Sequence, residues 1–122
     1  MVKARSSVRV LKKYGIGSNA MKFKIALYPG DGIGPDVLTQ AERVMYRVGE
    51  LQGIAFDCTT FNWGMDHWSK HGQLVPADFL AQLKGMDAIL LGAVGWPDIL
   101  PDHETLAPLV EIRQSFDQYA CV

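Results

Sequence analysis

Short apolar runs and longer stretches of helical period alternate along this chain. Ile25-Ala26-Leu27-Tyr28 ends at Pro29-Gly30, which predicts a buried strand stopping at a tight turn. Gly30, Gly32 and Gly34 follow, and Pro35 suits a first helical position, where its missing N–H costs nothing. Val37, Leu38, Ala41, Val44, Met45, Val48 and Leu51 then recur at helical spacing, opposite Gln40, Glu42, Arg43, Arg47 and Glu50. This predicts an amphipathic helix packed by one stripe on a sheet, with Gly53 as its C-cap. Ile54 to Phe61 predicts a second strand, and the two strands with their helix make a β-α-β unit with a right-handed crossover and a parallel sheet.

Asn62 to Gln73 is polar and carries no clear period. His67 and His71 are four apart and on a helix would share a face as metal ligands do. Gly64 and Gly72 argue against the helix, and no acidic base lies inside the pair, so a solvated stretch anchored by Trp63 and Trp68 is expected. Pro76 to Leu83 predicts a short helix burying Phe79, Leu80 and Leu83 and ending at Gly85. Asp87 to Gly95 is apolar almost throughout, which predicts a strand central in the sheet. It too runs into a glycine-bearing loop, so the segments 30–34 and 92–97 are expected on one edge of the sheet, where open α/β folds bind ligands. From Pro101 to Tyr119 the spacing of Leu106, Leu109, Val110, Arg113 and Phe116 predicts a helix with Arg113 on its buried stripe.

Composition adds bounds. The 122 residues suffice for one core, and the net charge is −1. Residues 1–24 hold seven of the twelve bases and no acid, leaving five bases against thirteen acids in the rest. This basic leader, residues 1–21, lacks aromatic interleaving and a secretory cleavage pattern. It is expected to be disordered, or to be upstream sequence ahead of a start at Met21, and not to bind nucleic acid. Residues 22–122 form the expected domain. Cys58 and Cys121 have no partner pattern, and no apolar run approaches membrane-spanning length, so a reduced, cytoplasmic protein is expected.

The candidate chemistry is sparse. The glycine turn departs from the G-x-G-x-x-G dinucleotide fingerprint and lacks the Lys-Ser/Thr pair of a P-loop. It is either a ligand-facing loop or a purely structural turn. Arg113 has the fork geometry for bidentate carboxylate binding. It either faces a cleft, lays its stem on apolar surface with its head in water, or pairs with Asp117 or Glu111.

Together these stretches resemble a known family. Ile25 to Val37, read as Ile-Ala-Leu-Tyr-Pro-Gly-Asp-Gly-Ile-Gly-Pro-Asp-Val, resembles the opening of the isocitrate/isopropylmalate dehydrogenase family. Gly92-Ala93-Val94-Gly95-Trp96-Pro97-Asp98, Pro101-Asp102-His103 and Ile112-Arg113-Gln114-Ser115-Phe116-Asp117-Gln118-Tyr119 resemble its tartrate dehydrogenase/D-malate dehydrogenase (decarboxylating) branch. The likeness covers about residues 22–122. It implies an α/β fold of parallel strands with flanking helices, a partial isopropylmalate dehydrogenase-like fold. It also implies NAD-dependent oxidation of a 2-hydroxy acid such as D-malate or tartrate, with decarboxylation, assisted by Mg2+ or Mn2+ and K+ in a homodimeric complete enzyme. By the same likeness Arg113 and Leu109 bind substrate, while Ile33, Ala93, Val94, Gly95, Trp96 and Pro97 lie near the nicotinamide cofactor. No residue here matches the family's catalytic acid and base or its metal ligands. The family continues from the tyrosine region into an Arg-Pro pair, whereas this chain reads Ala120-Cys121-Val122. The expectation is an amino-terminal portion inactive by itself. The alternatives are a non-catalytic truncated gene product and one half of a split enzyme.

Overall fold

Strand β2 (Met21–Gly30) is the axis of the molecule, because both of its faces and both of its edges are used. The computed structural model describes residues 2–4, 21–118 and 120. Along β2, side chains alternate between faces with period two. Ile25 and Leu27 point into one core cluster, and Ala26 and Tyr28 into another on the opposite face.

The first cluster lies under helix α1 (Gly34–Gln52), which supplies Leu38 and Tyr46 and, less deeply, Met45. The expected stripe is only half realised. Leu38, Ala41 and Met45 turn toward the sheet, but Val37, Val44, Val48 and Leu51 are exposed and Tyr46 and Gly49 take the inner positions. Gly49 lets α1 approach closely, since a Cβ there would sit 2.6 Å from the carbonyl oxygen of Ile54. As expected, Gly53 closes the helix in the left-handed conformation, and β3 (Ile54–Phe61) follows, parallel to β2.

The second cluster gathers elements from further along the chain. Phe61 and Trp63 pack with Phe79 and Leu83 of α3 (Phe79–Leu83) and Ile112 of α5 (Ala107–Ser115). The stretch expected to be solvated contains helix α2 (Met65–His71), ended by Gly72 at φ 71°, and Trp63 beside it is a core residue. The segment expected as one terminal helix is two, α4 (Asp102–Thr105) and α5, with Leu106 at the joint.

Strand β4 (Ala88–Ala93) pairs parallel with β2 on the side away from β3. The order is β1-β3-β2-β4, where β1 (Val2–Ala4) runs antiparallel to β3. β4 is therefore terminal among the described strands rather than central, which corrects the expectation. An apolar run reports that two faces are covered and says nothing about lateral neighbours. Here Leu90 packs toward the α1 layer and Ile89 and Leu91 toward the opposite one. The result is a parallel three-stranded sheet between helical layers, with β1 added at one edge. The expectation of a disordered leader falls mostly outside the described residues; within it Val2–Ala4 are β1 and Met21 opens β2. Among the described residues no helix is long and apolar enough to cross a membrane.

Candidate functional site

The two glycine-bearing loops meet where β2 and β4 end. Gly30 pairs with Ala93, and the Asp31 amide donates to the Ala93 carbonyl at 2.6 Å. Gly30 sits at φ 76°, and a Cβ there would collide with the Ala93 carbonyl, so only glycine lets the strands close at this point. The amide of Gly34 donates to the Asp31 carbonyl, and Pro35 has none to offer. The amino terminus of α1 therefore presents a depleted set of donors, consistent with the departure from a phosphate-binding fingerprint.

Asp31 is the residue that sequence reasoning missed. It is 8% exposed, and its carboxylate accepts the Met65 amide at 2.7 Å and the Gly95 amide at 3.0 Å. One side chain thereby ties the glycine turn to the start of α2 and to the 93–97 loop. Gly64, at φ 114°, makes room for it, because a Cβ there would sit 2.5 Å from Asp31 Oδ1. The available signal was an acid between two glycines at a strand end, a place where carboxylates accept backbone N–H groups. Behind it Tyr28 is buried at 1% exposure, and burial, then the Asp31 carboxylate, push its phenol well above the usual range.

The loop residues expected near a cofactor are brought together by this arrangement. Ile33 is 69% and Trp96 42% exposed, Pro97 is exposed, and Ala93, Val94 and Gly95 are half-buried. A Cβ on Gly32 would meet nothing within 4 Å, and one on Gly95 nothing closer than 3.8 Å. The result is an open backbone shelf flanked by apolar side chains.

The expected substrate residues lie on the adjoining side. Leu109 and Arg113, one helical turn apart on α5, line an open groove of about 350 Å³ with Ile89, Leu90, Leu91 and Gly92. Gly92 precedes Ala93, so groove and shelf are contiguous along β4. Arg113 is exposed, which corrects the expected buried stripe. Ile112 is the residue that enters the core at 4% exposure, and its neighbour is turned about 100° away. Among the described residues no carboxylate pairs with Arg113, Asp117 and Glu111 included. Its guanidinium can therefore take an external carboxylate.

His67 and His71 do share a face of α2, with ring centroids 4.5 Å apart, and His67 Nδ1 lies 2.5 Å from the Gln73 carbonyl oxygen. Among the described residues no third His, Cys, Asp or Glu completes a metal-binding group with them or elsewhere.

Comparison with known proteins agrees with this geometry. The chain is 45% identical over 102 residues to the tartrate dehydrogenase/decarboxylase of Pseudomonas putida, covering 82% of this chain and 28% of that protein. It is 44% identical over 98 residues to the D-malate dehydrogenase (decarboxylating) of Escherichia coli K12, covering 79% and 27%. An apo crystal structure of a β-decarboxylating dehydrogenase from Thermococcus kodakarensis superposes with a TM-score of 0.54 at 29% identity, over 73% of this chain and 26% of that one. The chain thus spans little more than a quarter of the length of these relatives. The family model for isocitrate/isopropylmalate dehydrogenases matches residues 24–122, which contain both glycine loops, the shelf and the Arg113 groove, and the chain belongs to that family.

Proposed function

We propose that this chain is the amino-terminal portion of an NAD- and divalent-metal-dependent dehydrogenase that oxidises and decarboxylates a 2-hydroxy dicarboxylic acid such as D-malate or tartrate. The observation that carries the reading is Arg113, exposed, unpaired among the described residues and one turn from Leu109 in a groove continuous with the glycine shelf. Arg113 holds a substrate carboxylate in a charge-assisted fork, and Leu109 contacts the substituent that differs between substrates. The relatives' names supply the acids.

The shelf fits a nicotinamide cofactor. Ile33 and Trp96 offer apolar surface to a planar ring, and the bare backbone at Gly32 and Gly95 allows close approach. NAD, when bound, supplies the hydride acceptor; the chain's own loops orient it and exclude water from one side. A divalent metal does not fit the described residues, since no group of three suitable donors converges. Its ligands have to come from elsewhere in the complete enzyme, which we take to be a homodimer, and the chain on its own is inactive. We take the setting to be reducing and cytoplasmic, where a buried cysteine such as Cys58 stays a thiol.

A chimera tests the reading. Residues 22–122 replace the matched portion of the Pseudomonas putida relative, and NAD reduction is followed with D-malate and tartrate in the presence of Mn2+. Reduction with either acid is expected. A chimera that folds as the parent does but reduces NAD with neither acid overturns the proposal.

A further inference from the structure

We propose that His67 and His71 of α2 form a two-imidazole site for Zn2+ or a like first-row transition-metal ion, separate from the metal of the proposed reaction and independent of that reading. Gly64 and Gly72 argued against a helix here, yet Met65–His71 is helical, so the four-residue spacing sets the two rings on one face. Their centroids lie 4.5 Å apart with the planes tilted by 42°. Two imidazoles bound to one zinc through bonds of about 2.0–2.1 Å put their ring centres about 4.5–5 Å apart, so the pair needs little rearrangement to chelate. Which nitrogens are free decides whether it can. His67 Nδ1 lies 2.5 Å from the carbonyl oxygen of Gln73; a carbonyl only accepts, so Nδ1 carries the proton and Nε2 keeps its lone pair. A ring N–H held by a backbone carbonyl is the arrangement that orients metal-bound histidines. No hydrogen bond or ion pair occupies the His71 ring among the described residues.

The rings border a hollow of about 290 Å³ lined by Asn62, Asp66, His67, Lys70 and His71. Asp66 and Lys70 offset each other's charge there, and the space admits the waters that would complete the ion's shell. Imidazole suits zinc, copper and nickel, whereas Mg2+ takes oxygen ligands, so the pair discriminates against hard cations. With two protein donors rather than three it is an exchanging site, not the closed cage of a structural zinc. What the ion supplies is order in α2. The helix has seven residues, no side-chain cap hydrogen bond and a glycine at each end. A helix that short is marginal by itself, and an ion bridging residues 67 and 71 ties down the turn between them.

The test titrates the 122-residue chain with zinc chloride in a non-coordinating buffer. Calorimetry reads the affinity, and NMR of the imidazole nitrogens identifies the ligands. Zinc is expected to move the Nε2 signals of His67 and His71 together. It should also slow exchange of the Trp68 and Gly72 amides, whose bonds to the Gly64 and Trp68 carbonyls close the helix. Magnesium chloride should do neither. His71→Gln, at an exposed position, should weaken zinc binding at least ~10-fold and leave unfolding of the metal-free chain unchanged. Ser69→His combined with His71→Ser keeps three histidines but sets two of them on nearly opposite sides of the helix, and should weaken zinc binding as much. The proposal is overturned if zinc moves neither ring, if it moves only His103 or binds through Cys121 alone, or if the transposed variant binds as tightly as the parent. The shifts in the parent chain decide the ligands even where a variant fails to fold.

Discussion

Asp31 holds the candidate site in shape through two backbone amides from different loops. Replacing it with asparagine leaves one acceptor oxygen and turns an NH2 group against one of those amides. Asp31→Asn is therefore expected to lower stability by about 1–3 kcal/mol in urea unfolding. It should also speed exchange of the Met65 and Gly95 amides ahead of the rest of the chain. Arg113 is the opposite case, an exposed group whose removal leaves the fold untouched. Arg113→Gln should leave unfolding unchanged while lowering kcat/KM of the chimera for D-malate by about 10- to 100-fold, the worth of a charge-assisted fork. The arginine was legible as a candidate carboxylate ligand from its chemistry and from the family likeness. Its exposure was not, because a stripe drawn through Leu109 and Arg113 misses by one residue the position, Ile112, that packs into the core.

At the scale of elements, the end of α1 and the bounds of β3 followed local chemistry closely, and the orientation of α1 did not. Gly53 ends α1 and Ile54–Phe61 is β3, as turn chemistry and β-branched content predicted. The seven apolar positions of α1, however, span a wider arc than the sheet can cover, and four of them face outward. Val44→Gln and Leu51→Gln should each change stability by no more than about 0.5 kcal/mol, whereas Leu38→Ala should cost about 2–5 kcal/mol. Thermal or urea unfolding of the three variants separates the two faces. Helix α2 was missed because its ends are glycines and its length is seven residues; its start is held by a distant carboxylate rather than by a local cap.

For the whole molecule, the buried Tyr28 links stability to pH. Its phenol titrates near 10 when unfolded and higher when folded, so the folded state binds the proton more tightly. Its contribution is fully present below pH 10 and is lost as pH rises from there toward the folded value. Unfolding free energy should fall by roughly 1 kcal/mol per pH unit just above pH 10, and Tyr28→Phe should flatten that slope. Equal slopes in the two proteins would show that another group is responsible.

Periods of two and of 3.6 with glycine and proline punctuation were enough to predict an α/β unit with parallel strands, and a resemblance carried by residues 25–37, 92–98, 101–103 and 112–119 pointed to its family. Those are local properties, written into neighbouring residues by backbone sterics and by the alternation of faces. Three features came only from tertiary structure: β4 at the edge, Arg113 turned into an open groove, and Asp31 bridging three segments. Each depends on which distant segment lies alongside. Hydrophobicity along a chain records whether a face is covered, and carries no record of what stands beside the strand.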